Sequence, residues 1–450
     1  MTRIYSARWV LPVSSAPIGH GAVAVDGPLI AGVGSATEIA ARFPDAPVED
    51  FGASVILPGL VNSHTHLELT ALRGYLENEE ADFFAWLRKL TLARLERMTA
   101  EDLRDSATWG ACEAVRAGIT CVGDASDSAL LSMRALQEVG LRGVVFQESF
   151  GPDARLAQEN FEKLKSKVAE LREIETELVR VGVSPHAPYT VSGAQLELIA
   201  DFAQSERLLV MMHAAESQAE DEFLREGRGL FAAGLAKRGI EWTPPGLSTV
   251  AYLHRVGILD CQPLLAHCIR VDQEDIETLR QTGSRVAHCP KSNAKLGHGH
   301  APLASFLEAG VTVGLGSDSV ASNNTCDLFE EARFAGLLAR NLENDFKNPL
   351  PTALQLLSAA TTGGAHCLGL ETKIGVLSEG SQADLIVVGL EGAHQVPVYD
   401  PVTALIFSSS GRDVVLTIIA GREVFRDRRV SGVDEDRLKS RINEIAAKLN

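Results

Sequence analysis

One stretch constrains this chain more than any other: residues 56–74, ILPGLVNSHTHLELTALRG. A short apolar strand meets a Pro-Gly break, a second apolar pair follows, and His64 and His66 then stand two residues apart. Side chains at i and i+2 of a strand point the same way, so a His-Thr-His at a strand's end aims two imidazoles at one point. That is half of a metal site. Holding a catalytic cation with one position left open for water takes further His or carboxylate ligands, which the fold must bring in from elsewhere.

The middle of the chain supplies a frame that does this. Apolar strand candidates recur at 57–64, 119–126, 142–149, 179–186, 208–216, 263–269, 284–290 and 311–318, with amphipathic, helix-length stretches such as FFAWLRKLTLARLERM and ARLAQENFEKLKSKVAELREI between them. Near-continuous Val/Ile/Leu strands alternating with crossover helices are α/β grammar, and eight of them predict a closed parallel (β/α)8 TIM barrel over 58–370. The 450 residues exceed one ordinary domain of about 150, so a small companion domain is expected beside the barrel. Residues 1–57 hold short β-type pieces (IYSARWVLP, GAVAVDG, LIAGVG, SVILPG) broken by Gly and Pro, with no room for crossover helices, which predicts a small antiparallel sheet. The same grammar returns at 372–390 and 413–430. One companion domain built from both termini, 1–57 plus 371–430, follows, with 431–450 as a C-terminal helix.

Composition excludes several classes. At 45% hydrophobic and 22% charged residues the chain is globular. No apolar run reaches the roughly 18 residues that span a bilayer, and MTRIYSARWVLPVSS has no signal-peptide core, so a soluble, cytoplasmic protein is expected. A net charge of −17 repels a phosphate backbone, so nucleic acid is not an expected partner. The seven cysteines show no CxxC and read as small buried hydrophobes.

In a barrel, chemistry gathers at the C-terminal ends of strands. His64, His66, Asp124, Glu148, His186, His213, Glu216, His267, His288 and Asp318 all fall at such ends. Two histidines of the first strand, His213 of the fifth and Asp318 of the eighth make a mixed N/O set for one divalent metal ion, Zn²⁺ or Fe²⁺. Glu216, three residues after His213, is placed to shuttle protons, and His267 to orient a hydroxide. Single buried histidines are more often hydrogen-bonded core residues, and His288 and His254 read that way. GHGH at 297–300 is a second HxH in a Gly-rich loop, as consistent with a solvated turn as with a substrate contact. Met211 and Met212 read as core filling, and LREIETELVR as a solvated helix face.

PGLVNSHTHLE (58–68), SPHAPYTVS (184–192), HAAES (213–217), AHC (266–268), HCPKSN (288–293) and GLGSDSVASNN (314–324) together resemble the amidohydrolase superfamily. The resemblance is to its mononuclear-metal aminohydrolases: S-adenosylhomocysteine/methylthioadenosine deaminases, guanine deaminase and the triazine hydrolases. It implies that the terminal β pieces form the family's split β-sandwich. It also implies metal ligation by His64, His66, His213 and Asp318, with catalysis by Glu216, His267 and Asp318 and a nucleobase contact from His186. His186 stands where two-metal relatives carry a carbamylated lysine, so one metal is expected. A homodimer is a family-level expectation.

The implied partner is a small nucleoside or N-heterocycle. After the LRG motif the S-adenosylhomocysteine deaminases carry a Pro-x-Glu element that holds ribose, whereas this chain reads DFFAWLRKLTLAR (82–94). HTHLE followed by a DFxxWL-type segment instead resembles aminodeoxyfutalosine deaminases of menaquinone synthesis, whose substrate is an adenine nucleoside bearing a benzoate. On that reading Glu68 and Glu148 are candidates for ribose or base contacts, and Arg88, Arg94 or Arg155 for the carboxylate. The alternatives are deamination of S-adenosylhomocysteine or methylthioadenosine, hydrolysis of another amino- or chloro-substituted N-heterocycle, and, outside enzymes, a barrel that keeps its metal for structure or senses a nucleoside.

Overall fold

The structure, a computed structural model, describes residues 2–342 and 350–449. The N-terminal segment forms β1 (Arg3–Val10), β2 (Ile18–Asp26), β3 (Leu29–Ser35), β4 (Val48–Asp50) and β5 (Ser54–Pro58). The terminal sheet is not purely antiparallel: β1 runs antiparallel to β2 but parallel to β4 and β5. Parallel neighbours need a crossover, and the helix Ala36–Arg42 lies on the connection that returns from β3. That helix opens at a capping box, in which the Ser35 hydroxyl caps Glu38 N and the Glu38 carboxylate reaches back to Ser35 N.

The parallel strands are β6 (Leu60–Thr65), β7 (Ile119–Ser126), β8 (Arg142–Ser149), β9 (Val179–Pro185), β10 (Met211–Ala214), β11 (Leu264–His267), β12 (Arg285–His288) and β13 (Thr312–Leu315). They fall where the sequence places them. Strands β6 to β9 form one four-stranded parallel sheet and β10 to β13 another, each in chain order. Single parallel bridges, Val183 with Val210 and Thr65 with Asp318, join the two sheets at both seams. Every residue of β6, β7 and β8 is buried, as both-face helix coverage requires. The Pro-Gly break of the opening motif now has a cause. Pro58 ends β5 in the terminal sheet and Leu60 starts β6, and a Cβ on the intervening Gly59 would lie 2.0 Å from Thr120 Oγ1.

Four C-terminal strands complete the terminal sheet: β14 (Leu385–Gly389), β15 (Val414–Ile419), β16 (Arg422–Arg426) and β17 (Arg429–Val430). Strand β14 pairs with β5, giving the order β17-β16-β15-β14-β5-β1-β2-β3, with β4 on β1. Only 385–389 of the β-like stretch 372–390 is strand; Ile374 and Leu377 before it are buried outside any strand. The pair Arg142 Nε–Asp384 Oδ2, 2.7 Å apart and 3% and 1% exposed, ties the start of β8 to this sheet. The helix Glu435–Leu449 follows as expected and buries Leu438, Ile445 and Leu449. No helix among the described residues is long and apolar enough to cross a membrane.

Candidate active site

The opening HxH delivers both imidazoles to one place. His64, fully buried, is the last residue but one of β6, and His66 directly follows the strand. Asp124, at the end of β7, accepts Leu67 N at 2.7 Å and so fixes the turn after His66. His213 from β10 brings its Nε2 to 3.2 Å from His66 Nε2. Asp318, beyond β13, places Oδ1 3.3 Å from His64 Nε2 and 3.5 Å from His66 Nε2. Ligand atoms of His64, His66, His213 and Asp318 all lie within 4.8 Å of one another.

The surroundings set these groups up as donors of lone pairs. His213 Nδ1 lies 2.9 Å from the His186 carbonyl, which makes Nδ1 the proton-bearing nitrogen and turns the bare Nε2 inward. Burial holds His64 down at about 4 and lowers His66 and His213 as well, so all three are neutral near pH 7. Burial alone would raise Asp318; the close approach of the His64, His267 and His66 imidazoles brings it well below the usual carboxylate range instead. Ser292 and Ser322 hydroxyls donate to Asp318 Oδ2 at 2.6 and 3.0 Å, which leaves Oδ1 for the histidines. Three neutral imidazoles and one ionised carboxylate, with His64 Nε2 buried and without a hydrogen-bond partner, fit a divalent cation such as zinc.

Glu216 and His267 stand beside this cluster. Glu216 Oε1 is 3.6 Å from His267 Nε2, and His267 Nδ1 is 2.8 Å from Asn293 Oδ1. Burial opposes protonation of His267, but Glu216, Asp318 and Asn293 outweigh it and raise its pKa. Ala215 N and Glu216 N donate to the buried Glu220 at 2.8 and 2.9 Å, fixing the turn that carries Glu216. Ala215, His267 and Asp318 adopt φ values of +53°, +75° and +55°. Such left-handed non-glycine residues cost of order 1–3 kcal/mol each and concentrate at functional sites; nothing in the residue types announced them.

His66, His213 and Asp318 of the cluster line a cavity of ≈ 370 Å³ that also reaches His186, Glu148 and Glu68. His186 packs on Phe150 and His213, and Glu148 is buried with Oε1 unpartnered. Glu148, His186 and His213 form a second close group. Glu68 is occupied: it accepts from Arg94 Nε at 2.7 Å, Ser126 Oγ at 2.6 Å and Ser128 N at 3.2 Å. Of the three arginines considered for a carboxylate, Arg94 lines the cavity, whereas Arg88 and Arg155 are exposed away from it, Arg155 paired with Asp153. His288 is buried at the end of β12 outside the cavity lining, and His254 is exposed.

Another wall is the helix Phe83–Leu92, capped by Asp82 through Phe84 N and Ala85 N. Phe83, Trp86, Leu87 and Leu90 recur at i, i+3, i+4 and i+7 and line the cavity. A π-helical turn, Ala93–Arg97, ends this helix earlier than its pattern predicts and carries Arg94. His298, from the GHGH loop that the sequence leaves open between a solvated turn and a substrate contact, is only 8% exposed, and its Nε2 is 3.8 Å from Glu216 Oε1.

The chain is similar in sequence and fold to known proteins. An imidazolonepropionase-like composite domain of bacteria matches residues 21–46. The 5-methylthioadenosine/S-adenosylhomocysteine deaminase of Syntrophobacter fumaroxidans is 35% identical over 445 residues, covering 95% of this chain and 93% of that protein. A crystal structure of a Xanthomonas campestris adenosine deaminase with bound zinc is similar at TM-score 0.86 and 28% identity, covering 99% of this chain and 98% of the other. Helicobacter pylori aminofutalosine deaminase in complex with methylthio-coformycin shares the fold at TM-score 0.79 and 23% identity, covering 94% of this chain and 100% of the other. The amidohydrolase family model matches residues 55–424; the chain belongs to the amidohydrolase family and is a hydrolase acting on carbon–nitrogen bonds.

Proposed function

We propose that this chain is a metal-dependent hydrolytic deaminase of an adenine-type nucleoside with an apolar 5′ substituent, 5′-methylthioadenosine being the best fit, and that it releases ammonia. One observation carries the reading: His66, His213 and Asp318 of the ligand cluster, with His64 buried against them, share one cavity with Glu216, His267 and the apolar face of the helix Phe83–Leu92. A structural metal site is usually closed by four protein ligands with no acid/base group beside it; Glu216 and His267 argue against that role here.

His64, His66, His213 and Asp318 would hold the ion, zinc by preference and iron as the alternative. When bound, a divalent ion lowers the pKa of water from 15.7 to about 7 and so supplies a nucleophile at neutral pH. Glu216 takes up a proton, delivers it to the ring nitrogen next to the attacked C6, and later protonates the departing amine. His267, fixed through Asn293, orients the nucleophile, and Asp318 accepts its remaining proton, which Glu216 then carries to the departing amine so that ammonia leaves. His186 and Glu148 face the nucleobase. The eight parallel strands are read as one closed barrel over 58–370, the strands of 1–57 and 371–430 as the companion β-sandwich, and 431–450 as its trailing helix.

Arg94 favours a second reading, aminodeoxyfutalosine, because it puts a guanidinium in the cavity. That guanidinium already meets Glu68 at 2.7 Å and Asp127 at 3.2 Å, so a substrate benzoate would compete with two resident carboxylates, and the methylthio nucleoside ranks first. The test is ammonia release by the zinc-loaded protein against 5′-methylthioadenosine, S-adenosylhomocysteine, aminodeoxyfutalosine, adenosine and guanine, with Glu216→Gln as the control. Turnover led by methylthioadenosine and abolished in the control is the expected result. Preference for aminodeoxyfutalosine moves the assignment to the second reading, and silence across the panel from metal-loaded, folded protein overturns both.

A further inference from the structure

The second HxH of the chain has a use that the proposed chemistry does not absorb. His298 lies between Gly297 and Gly299, whose φ values of +69° and +108° turn the loop tightly inward on both sides of it. Its main-chain N donates to Asn293 O at 2.9 Å. Asn293 therefore anchors two imidazoles, His298 through its carbonyl and His267 through its side chain at 2.8 Å. The His298 ring meets the Phe83 ring edge-on at 4.6 Å, so it also touches the apolar wall of the cavity. Its Nε2 is buried and makes no hydrogen bond, a costly state for a polar atom. The group it faces is Glu216: Nε2 is 3.8 Å from Oε1, the same oxygen that His267 Nε2 approaches to 3.6 Å. Catalytic hydrogen bonds are often long in a ligand-free site and tighten in the complex with substrate.

We propose that His298 is a positioning residue for Glu216: with the Phe83 ring behind it, its Nε2–H donates to Glu216 Oε1 once substrate fills the cavity, leaving the second carboxylate oxygen to carry the proton. The inference rests on the role proposed for Glu216 above. It also links the apolar wall to the proton carrier, because a substrate pressing on Phe83 presses on the ring that orients Glu216.

Two variants test it in the full-length, zinc-loaded protein. His298→Phe keeps a ring against Phe83 but has no N–H, and His298→Gln keeps an N–H donor. Expected for His298→Phe is a fall in kcat of about 10- to 100-fold for 5′-methylthioadenosine, with KM within about twofold, unchanged zinc content and a larger solvent deuterium isotope effect on kcat. His298→Gln is expected to recover a substantial part of that loss. A kcat within twofold of the unmodified enzyme in His298→Phe, or His298→Gln no better than His298→Phe, overturns the proposal. A second readout needs no substrate. In protein labelled with ¹⁵N-histidine, the His298 Nε2 signal, assigned by its loss in His298→Phe, should carry a proton and shift in Glu216→Gln. An unprotonated Nε2, or a signal indifferent to Glu216→Gln, sinks the idea. Silence of the unmodified enzyme on every nucleoside would refute the substrate reading and leave this second readout to decide the role of His298.

Discussion

Replacing Ser292 with alanine tests whether Asp318 is held ready for a metal, without touching any donor atom. Asp318 sits at φ +55°, and its Oδ2 is fixed by Ser292 Oγ at 2.6 Å and Ser322 Oγ at 3.0 Å, the two hydroxyls being 2.9 Å apart. A hydrogen bond to a charged group contributes roughly 1.5–3 kcal/mol, and about 1.4 kcal/mol is a factor of ten in an equilibrium constant. Loss of one such bond while Ser322 keeps the other should weaken zinc binding about tenfold, and Ser292→Ala/Ser322→Ala about 100-fold, the range typical of groups that orient a ligand. The shorter bond makes Ser292→Ala the more harmful single change. Both serines are 1% exposed, but removing one hydroxyl oxygen leaves little void, so circular dichroism and the unfolding midpoint should stay near those of the parent. The assay is competition for Zn²⁺ against a chromophoric chelator at fixed pH. A double variant whose zinc Kd stays within twofold of the parent would show that Asp318 is not a ligand, or that the serines do not orient it.

Arg142→Met should cost about 3–5 kcal/mol, because it strands Asp384, 2% exposed, with the Ala420 N–H as its remaining close donor, whereas Arg142→Met/Asp384→Leu should recover most of that loss; urea unfolding decides, and a double variant no more stable than the single refutes the pairing argument. Trp86→Ala should raise KM for 5′-methylthioadenosine about tenfold while changing that for adenosine little, and an equal rise for both nucleosides would move the 5′ substituent away from this wall. Burial lifts the Glu331 carboxyl, which accepts from Asn323 Nδ2 at 2.6 Å, from 4.5 to about 8. A raised carboxyl pKa means the folded chain keeps a proton that the unfolded chain gives up, so this contribution is full below about pH 4.5 and lost as pH rises through 8. Unfolding midpoints between pH 5 and 9 should therefore fall more steeply for the parent than for Glu331→Gln; parallel curves would contradict it.

What could be read from the sequence and what could not divide along one physical line. The eight parallel strands were legible because strands buried on both faces carry near-continuous apolar runs, and β7 and β8 are buried at every residue, with most of their polar residues towards the C-terminal ends. Their ends were less so: the fifth and eighth strands stop at 214 and 315, short of the expected 216 and 318, where the ladder gives way to segments holding left-handed Ala215 and Asp318, residue types that do not advertise positive φ. The helix Ala36–Arg42 was missed because it is a short run of seven residues set between β pieces, although its S-x-x-E box and its Ala, Glu and Arg residues favour a helix, and 372–384 was overread because buried Ile374 and Leu377 imitate strand alternation outside any strand. The two HxH motifs make the distinction sharpest. His64 lies in β6 and His66 directly follows it, so one element aims the pair and sequence and geometry coincide. His298 has the same spacing, but its burial depends on Phe83, more than two hundred residues away, and on glycines whose φ is set by the loop. Arg94 follows the same rule, since it reads as a free cation until Glu68 and Asp127 are found against it. Residues whose role is fixed by their own element can be assigned from sequence; those fixed by a partner on another element need the fold, and substrate choice in this cavity rests mostly on the second kind.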